Sequence, residues 1–388
     1  MKEKIAQVVD SMKEELIDLA KKIFKIAELS YEEKESSKLL VDFLKQNGFM
    51  VKKNIAGLKT AFLAETGGGR PRIALLAEYD ALPEIGHACG HNMIGVMSCG
   101  AAVAVKKALG ELPCSVVVVG CPAEERGAGK KQLINAGIFD DVDVAMMIHP
   151  ASMSTGFDIA YAIRRYVVEF FGKSAHAAAD PASGRNALDA LILMFNAIGL
   201  WRQQLPEKVR IHGIITNGGQ SFNTIPEYTS AELAIRALRM EQVEELEERF
   251  REIVLSAARM TGCDGRISLA EEMPEVYVNV PLARKLEENY RLVGERVSPR
   301  TYEQGVGSTD TGAVSHVVPT IHAYINITGE KTIPTHTREF AKAANSQYGY
   351  RAMIRATKAL AFTVYDLMTD ERFLQEVKQY FQERRREF

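Results

Sequence analysis

Three short runs of almost unbroken apolar residues limit what this chain can become: residues 72–78 (RIALLAE), 115–119 (SVVVV) and 142–148 (VDVAMMI). A strand with one wet face alternates apolar and polar side chains. Runs that are apolar throughout suit strands covered on both faces, as in the parallel sheets of α/β proteins. Residues 93–109, rich in Ala, Val and Gly, and residues 130–136 read as helices between these strands. Each strand is followed by a residue that can hold a ligand: Asp80 after the first, Glu124-Glu125 after the second, His149 after the third. Ligands of open α/β sheets bind beyond the carboxyl ends of the strands. These residues are therefore predicted to converge on one site.

The rest of the chain supplies a second style. Residues 2–28 carry helical apolar spacing with one buried face, and 36–47 read as a second helix closed by Gly48. Short strands are predicted at 50–55 and 60–65. From about residue 163 the order becomes strand (164–171), helix (186–203), strands (209–216 and 228–238), helix (241–260) and strand (266–270). That β-α-β-β-α-β order is the ferredoxin-like one. The first style resumes after Pro274, with a helix at 281–293, the loop GVGSTDTG (305–312), a fourth core strand at 320–327 and a long helix at 341–368. Residues 369–388 read as a charged, helical, solvated tail. The expected fold is α/β, a mixed-sheet catalytic domain with helices on both faces (1–162 and 275–388). An α+β ferredoxin-like domain (163–274) is inserted in it.

Composition excludes several classes. A formal net charge of −2 and the lack of a basic stripe argue against nucleic acid. The five cysteines are odd in number and scattered, which argues for a reducing compartment rather than a disulfide framework. The N-terminus lacks the apolar core of a signal peptide, and no apolar run is long enough to span a bilayer. A cytoplasmic protein without a membrane partner is expected.

The stretch GHACGHN (86–92) supplies the chemistry. Cys89 and His91 can converge on one ion from a turning loop, and thiolate and imidazole suit a borderline-soft cation. A lone C-x-H is better read as a buried Cys beside a bonded His. Together with Glu125, His149 and His336, however, it makes five candidate ligands. Five exceed the needs of one tetrahedral open site. Two cations about 3.5–4 Å apart fit better, with Cys89 as the bridge. Glu124 is then free to take a proton from water and pass it to a leaving amine. Two competing readings are a thiol hydrolase using Cys89 with His91 and a non-catalytic or regulatory homologue that binds carboxylate ligands. His87, His212, His316 and His322 are assigned to structure, and Cys99, Cys114, Cys121 and Cys263 to the core.

The stretches AEYDALPEIGHACGHN, GCPAEE, IHP, GKSAHAAADP, GSTDTG and PTHTREF occur in order across nearly the whole chain. Together they resemble the aminoacylase and carboxypeptidase-G family of two-domain metallopeptidases, in the amidohydrolase branch with a Cys ligand. GHN and AEYDALP look most like the sub-branch of β-alanyl-lysine-type dipeptidases and the B chains of aminobenzoyl-glutamate hydrolases. The resemblance implies two divalent ions, Zn²⁺ or Mn²⁺, on Cys89, His91, Glu125, His149 and His336. It implies Glu124 as general base and Asp80 as the carboxylate that orients the ligands. The inserted domain would be a lid and dimerisation surface. Its His176 would stabilise the oxyanion, from the partner subunit of a homodimer, and Asn223 and Arg236 would hold the substrate carboxylate. The substrates implied are N-acyl amino acids or small dipeptides.

Overall fold

The computed structural model describes residues 1–127, 129–302 and 306–385. They divide into two compact units, each with its own apolar core. The described residues of the first fall within 1–159, 276–305 and 309–388, and those of the second within 160–275 and 306–308.

The chain opens with two helices, α1 (Lys2–Ser11) and α2 (Lys13–Ile26), where periodicity predicts one. The break is at Met12, whose backbone leaves the helical region (φ −95°, ψ 0°) while its side chain stays in the core. Helix α3 (Lys34–Gln46) leads to β1 (Met50–Lys53), β2 (Phe62–Gly67) and β3 (Arg72–Ala77). Then come α4 (His91–Leu109), β4 (Ser115–Gly120), α5 (Gly129–Asn135) and β5 (Val144–Ala151). The second unit contributes β6 (Ala162–Phe171), α6 (Ala187–Trp201), β7 (Arg210–Asn217), β8 (Tyr228–Ala237), α7 (Met240–Met260) and β9 (Asp264–Met273). The chain ends with α8 (Val280–Leu292), α9 (Thr311–Ser315), β10 (Thr320–Asn326), α10 (Arg338–Ala343), α11 (Gln347–Thr369) and α12 (Glu371–Arg385).

The first unit is built on a mixed sheet of order β1-β2-β4-β3-β5-β10. The four strands β4, β3, β5 and β10 run parallel, and β1 and β2 are added antiparallel. Every residue of β4 and β5 is buried, as their unbroken apolar runs require. Small residues let α4 lie close to the sheet. The Gly95 N–H donates to the Glu78 carbonyl at 3.0 Å, and a Cβ there would stand 2.7 Å from Leu40. At Gly120 a Cβ would come within 2.3 Å of the Phe62 ring.

Two predictions about the C-terminal part need correcting. The single helix expected at 341–368 is two, because Ser346 caps a fresh helix by accepting from the Gly349 N–H. The tail expected to be solvated is α12, whose Phe373, Leu374, Val377 and Phe381 are buried. Charge content hid that apolar stripe. No helix among the described residues is long and apolar enough to cross a membrane.

The second unit carries an antiparallel sheet of order β7-β8-β6-β9. Helices α6 and α7 pack on it, closing a core around Tyr166, Phe170, Leu191, Leu233 and Phe250. The element order and strand order are those of a ferredoxin-like α+β sandwich.

Candidate metal centre

In the first unit the chain leaves β3 for β4 on one side and later crosses to β5 on the other. That reversal opens a crevice at the carboxyl ends of these strands, where open α/β sheets bind ligands. Asp80 follows β3, and Glu124 and Glu125 form a single 3₁₀ turn after β4. His149 sits inside β5 rather than past its end, a correction to the pattern expected from sequence. His91 is the first residue of α4, which begins two residues earlier than periodicity suggests.

The loops are held by backbone bonds. Gly90, at φ +83°, lets the chain turn between Cys89 and α4. The His336 N–H donates to the Ala88 carbonyl at 2.8 Å, tying the PTHT loop to the GHACGHN loop. His336 itself is left-handed (φ 62°) and half exposed.

Asp80 uses both carboxylate oxygens. Oδ1 lies 2.9 Å from His91 Nδ1, and Oδ2 accepts from the Ser30 hydroxyl at 2.8 Å and the Glu125 N–H at 3.0 Å. Burial alone would raise its pKa, but His91 and these donors pull it down to about 2. The Asp80 carboxylate fixes His91 with Nδ1–H toward it and Nε2 facing the crevice. His149 is set the same way: Nδ1 donates to the Pro150 carbonyl at 2.7 Å, so Nε2 faces Cys89 Sγ at 3.4 Å. Burial, then His322 and His91, lower the His149 pKa to about 3, which keeps its lone pair available.

The donors fall into overlapping triads whose ligand atoms all lie within 4.8 Å of one another: Cys89, His91 and His149 form one, and Cys89, Glu125 and His336 another. His91 also groups with Glu124 and Glu125. His91 Nε2 and Glu125 Oε1 are buried without a hydrogen-bond partner among the described residues, 3.8 Å apart. Unpaired buried polar atoms are costly unless something charged completes them. Burial disfavours charge on His91, yet Cys89 and Asp80 outweigh it and hold its pKa well above the ordinary value. The residues therefore fit a bound metal: a soft thiolate, imidazoles and a carboxylate, with His91 and His149 each oriented by its other nitrogen.

Behind Glu124 stands a group that sequence reading missed. Lys130, fully buried, bonds Glu78 Oε1 at 2.5 Å and also Asp310 Oδ1. Glu78, Glu124 and Asp310 bring carboxylate oxygens within 4.8 Å of one another. Burial, then Glu78 and Glu125, push the Glu124 pKa well above that of an ordinary carboxyl. The one sequence signal was that RIALLAE ends in an acid, Glu78, to which the sequence reading gave no role. His322, assigned to structure, lies 5.4 Å from the His149 ring and holds Asp158 through Nδ1 at 2.9 Å.

The remaining predicted residues lie in the second unit. His176 is exposed, and its Nδ1 accepts from the N–H groups of Ala178 and Ala179 at 3.2 and 3.1 Å. Nε2–H is thereby left as an outward donor. Asn223 is exposed, and its Oδ1 accepts from Ser221. Arg236 donates to His212 Nε2 at 3.1 Å and Ser308 Oγ at 2.9 Å. Both partners are neutral acceptors.

The model of a peptidase dimerisation domain, M20_dimer, matches residues 161–261. The chain is 37% identical to the Xaa-Arg dipeptidase of Mus musculus, over 98% of this chain and 92% of that protein. It is 29% identical to the B chain of the p-aminobenzoyl-glutamate hydrolase of Escherichia coli (strain K12), over 98% of this chain and 94% of that one. Among solved structures, the YXEP protein of Bacillus subtilis, described as a dinuclear metal binding peptidase from the M20 family, superposes with a TM-score of 0.66. Its identity is 20%, and the match covers 89% of this chain and 98% of that one.

Proposed function

The chain belongs to the M20 peptidase family, and from that premise we propose that it is a metal-dependent amidohydrolase of N-acyl amino acids or small dipeptides. The observation that carries this is Cys89, shared between two triads of metal-capable donors. Cys89, His91, Glu125, His149 and His336 would hold two divalent cations, Zn²⁺ or Mn²⁺. When bound, such a pair polarises the scissile carbonyl and lowers the pKa of water at the site to about 7.

The chain's own groups would do the rest. Glu124 takes the proton of the attacking water and returns it to the leaving amine. Asp80 keeps His91 in one tautomer. His176 presents an N–H suited to an oxyanion. Asn223 and Arg236 take the substrate's free carboxylate, for which a guanidinium whose hydrogen bonds go to the neutral His212 and Ser308 is a ready fork. The second unit serves as lid and dimerisation surface of a homodimer, a reading supported by the family match at 161–261. A thiol nucleophile is the poorer reading, because Cys89 is buried and its sulfur is shared between the two donor triads rather than open to a substrate.

The test is a panel of N-acyl amino acids, aminobenzoyl-glutamate, β-alanyl dipeptides and dipeptides ending in Arg, assayed after loading with Zn²⁺ or Mn²⁺. Turnover that chelator abolishes and metal restores is expected, with two ions per chain by elemental analysis. Turnover that survives complete metal removal would overturn the reading.

A further inference from the structure

We propose that Glu33 is a positioning residue for Glu124, its buried carboxylate holding the turn that presents the proposed base. This rests on the assignment of Glu124 made above.

Glu33 is fully buried just ahead of α3. Its Oε1 accepts from the N–H groups of Tyr31 at 2.8 Å and Ala123 at 2.9 Å, and its Oε2 accepts from the Thr60 hydroxyl at 2.8 Å. A carboxylate is costly to bury unless donors satisfy it. Two of these donors come from segments 27 and 90 positions away in sequence. The Thr60 carbonyl in turn accepts the hydroxyls of Ser37 and Tyr79, each at 2.7 Å. The clamp is thus anchored just past β3, one residue from Asp80.

What it clamps is strained. Ala123 is left-handed (φ 60°, ψ 40°), a conformation that a residue with a Cβ disfavours, and it immediately precedes Glu124. The N–H on the far side, that of Glu125, is held by Asp80. The backbone around Glu124 is therefore gripped by two buried carboxylates, Glu33 before it and Asp80 after it. Without Glu33, Ala123 relaxes toward ordinary backbone angles. Glu125 stays tied to Asp80, and Glu124 swings away from its working position. The loss falls on the proton-transfer step rather than on substrate or metal binding.

The test uses the full chain loaded with metal. Glu33→Ala is expected to lower kcat on the order of 100-fold, as misplacement by about 1 Å does, with KM and bound metal unchanged. Glu33→Gln should restore most of the rate, because a carboxamide oxygen still accepts both N–H groups. If Glu33→Ala does not fold, Thr60→Val and Thr60→Ser replace the pair, the first slowing kcat and the second restoring it. Three results would each overturn the proposal: kcat of the Ala or Val variant within about threefold of the parent, a Gln or Ser variant as slow as its partner, or joint loss of kcat and metal. Glu124→Gln, assayed alongside, separates the two claims. Full turnover in Glu124→Gln defeats the base assignment itself. An inactive Glu124→Gln beside an active Glu33→Ala defeats only the role of Glu33.

Discussion

Glu124 and Glu125 are neighbours in sequence with different surroundings. Glu125 has its N–H held by Asp80, one oxygen 3.5 Å from His336 Nε2 and the other unpaired near His91. Glu124 is packed among the carboxylates of Glu78 and Asp310. On the proposed function, Glu125 would hold a cation and Glu124 would carry the proton. Glu124→Gln, nearly isosteric, should cut turnover by roughly 10²–10⁴-fold while elemental analysis finds the metal content unchanged. Loss of metal in that variant would make Glu124 a ligand instead. At this scale the sequence was informative about residue types: a Cys, histidines and an acidic pair at strand ends are visible as letters. Glu78 and Lys130 were not, because an acid closing an apolar run and a Lys opening a helix carry no sign of burial.

The elements that matter are the β3–α4 connection and α4. The loop must turn twice within a few residues, which is why Gly90 is left-handed. A Cβ there would also strike Pro150 at 2.8 Å. Gly90→Ala should therefore cost the backbone strain of about 1–3 kcal/mol plus that clash, and weaken metal binding, since Cys89 and His91 flank it. Gly110, at φ +80° with nothing within 4 Å of a Cβ, is the control. Gly110→Ala should cost only the backbone strain, about 1–3 kcal/mol, and leave metal affinity alone. Urea unfolding and metal titration of the two variants check both statements. Strand positions in the first unit were legible because burial on both faces leaves an unbroken apolar run. Helix breaks at Met12 and near Ser346 were not, because apolar spacing continues across them.

For the whole molecule the prediction concerns the partner subunit. If His176 acts on the other chain of a homodimer, an equimolar mix of Glu124→Gln and His176→Ala chains should regain about a quarter of parental activity, since half the dimers are then hybrids with one complete site. No recovery after verified subunit exchange would return His176 to its own chain. The motifs read in order along the chain identified the family that the comparisons show. Apolar runs also determined an α/β unit with an α+β insert, because strand burial and element order are local properties of a sequence. Tertiary structure alone decided which groups share the crevice. Lys130 meets Asp310 across 180 positions, Glu33 reaches Ala123 across 90, and Cys89 is common to two donor triads. Such contacts depend on how distant segments pack, and hydrophobic periodicity is blind to them.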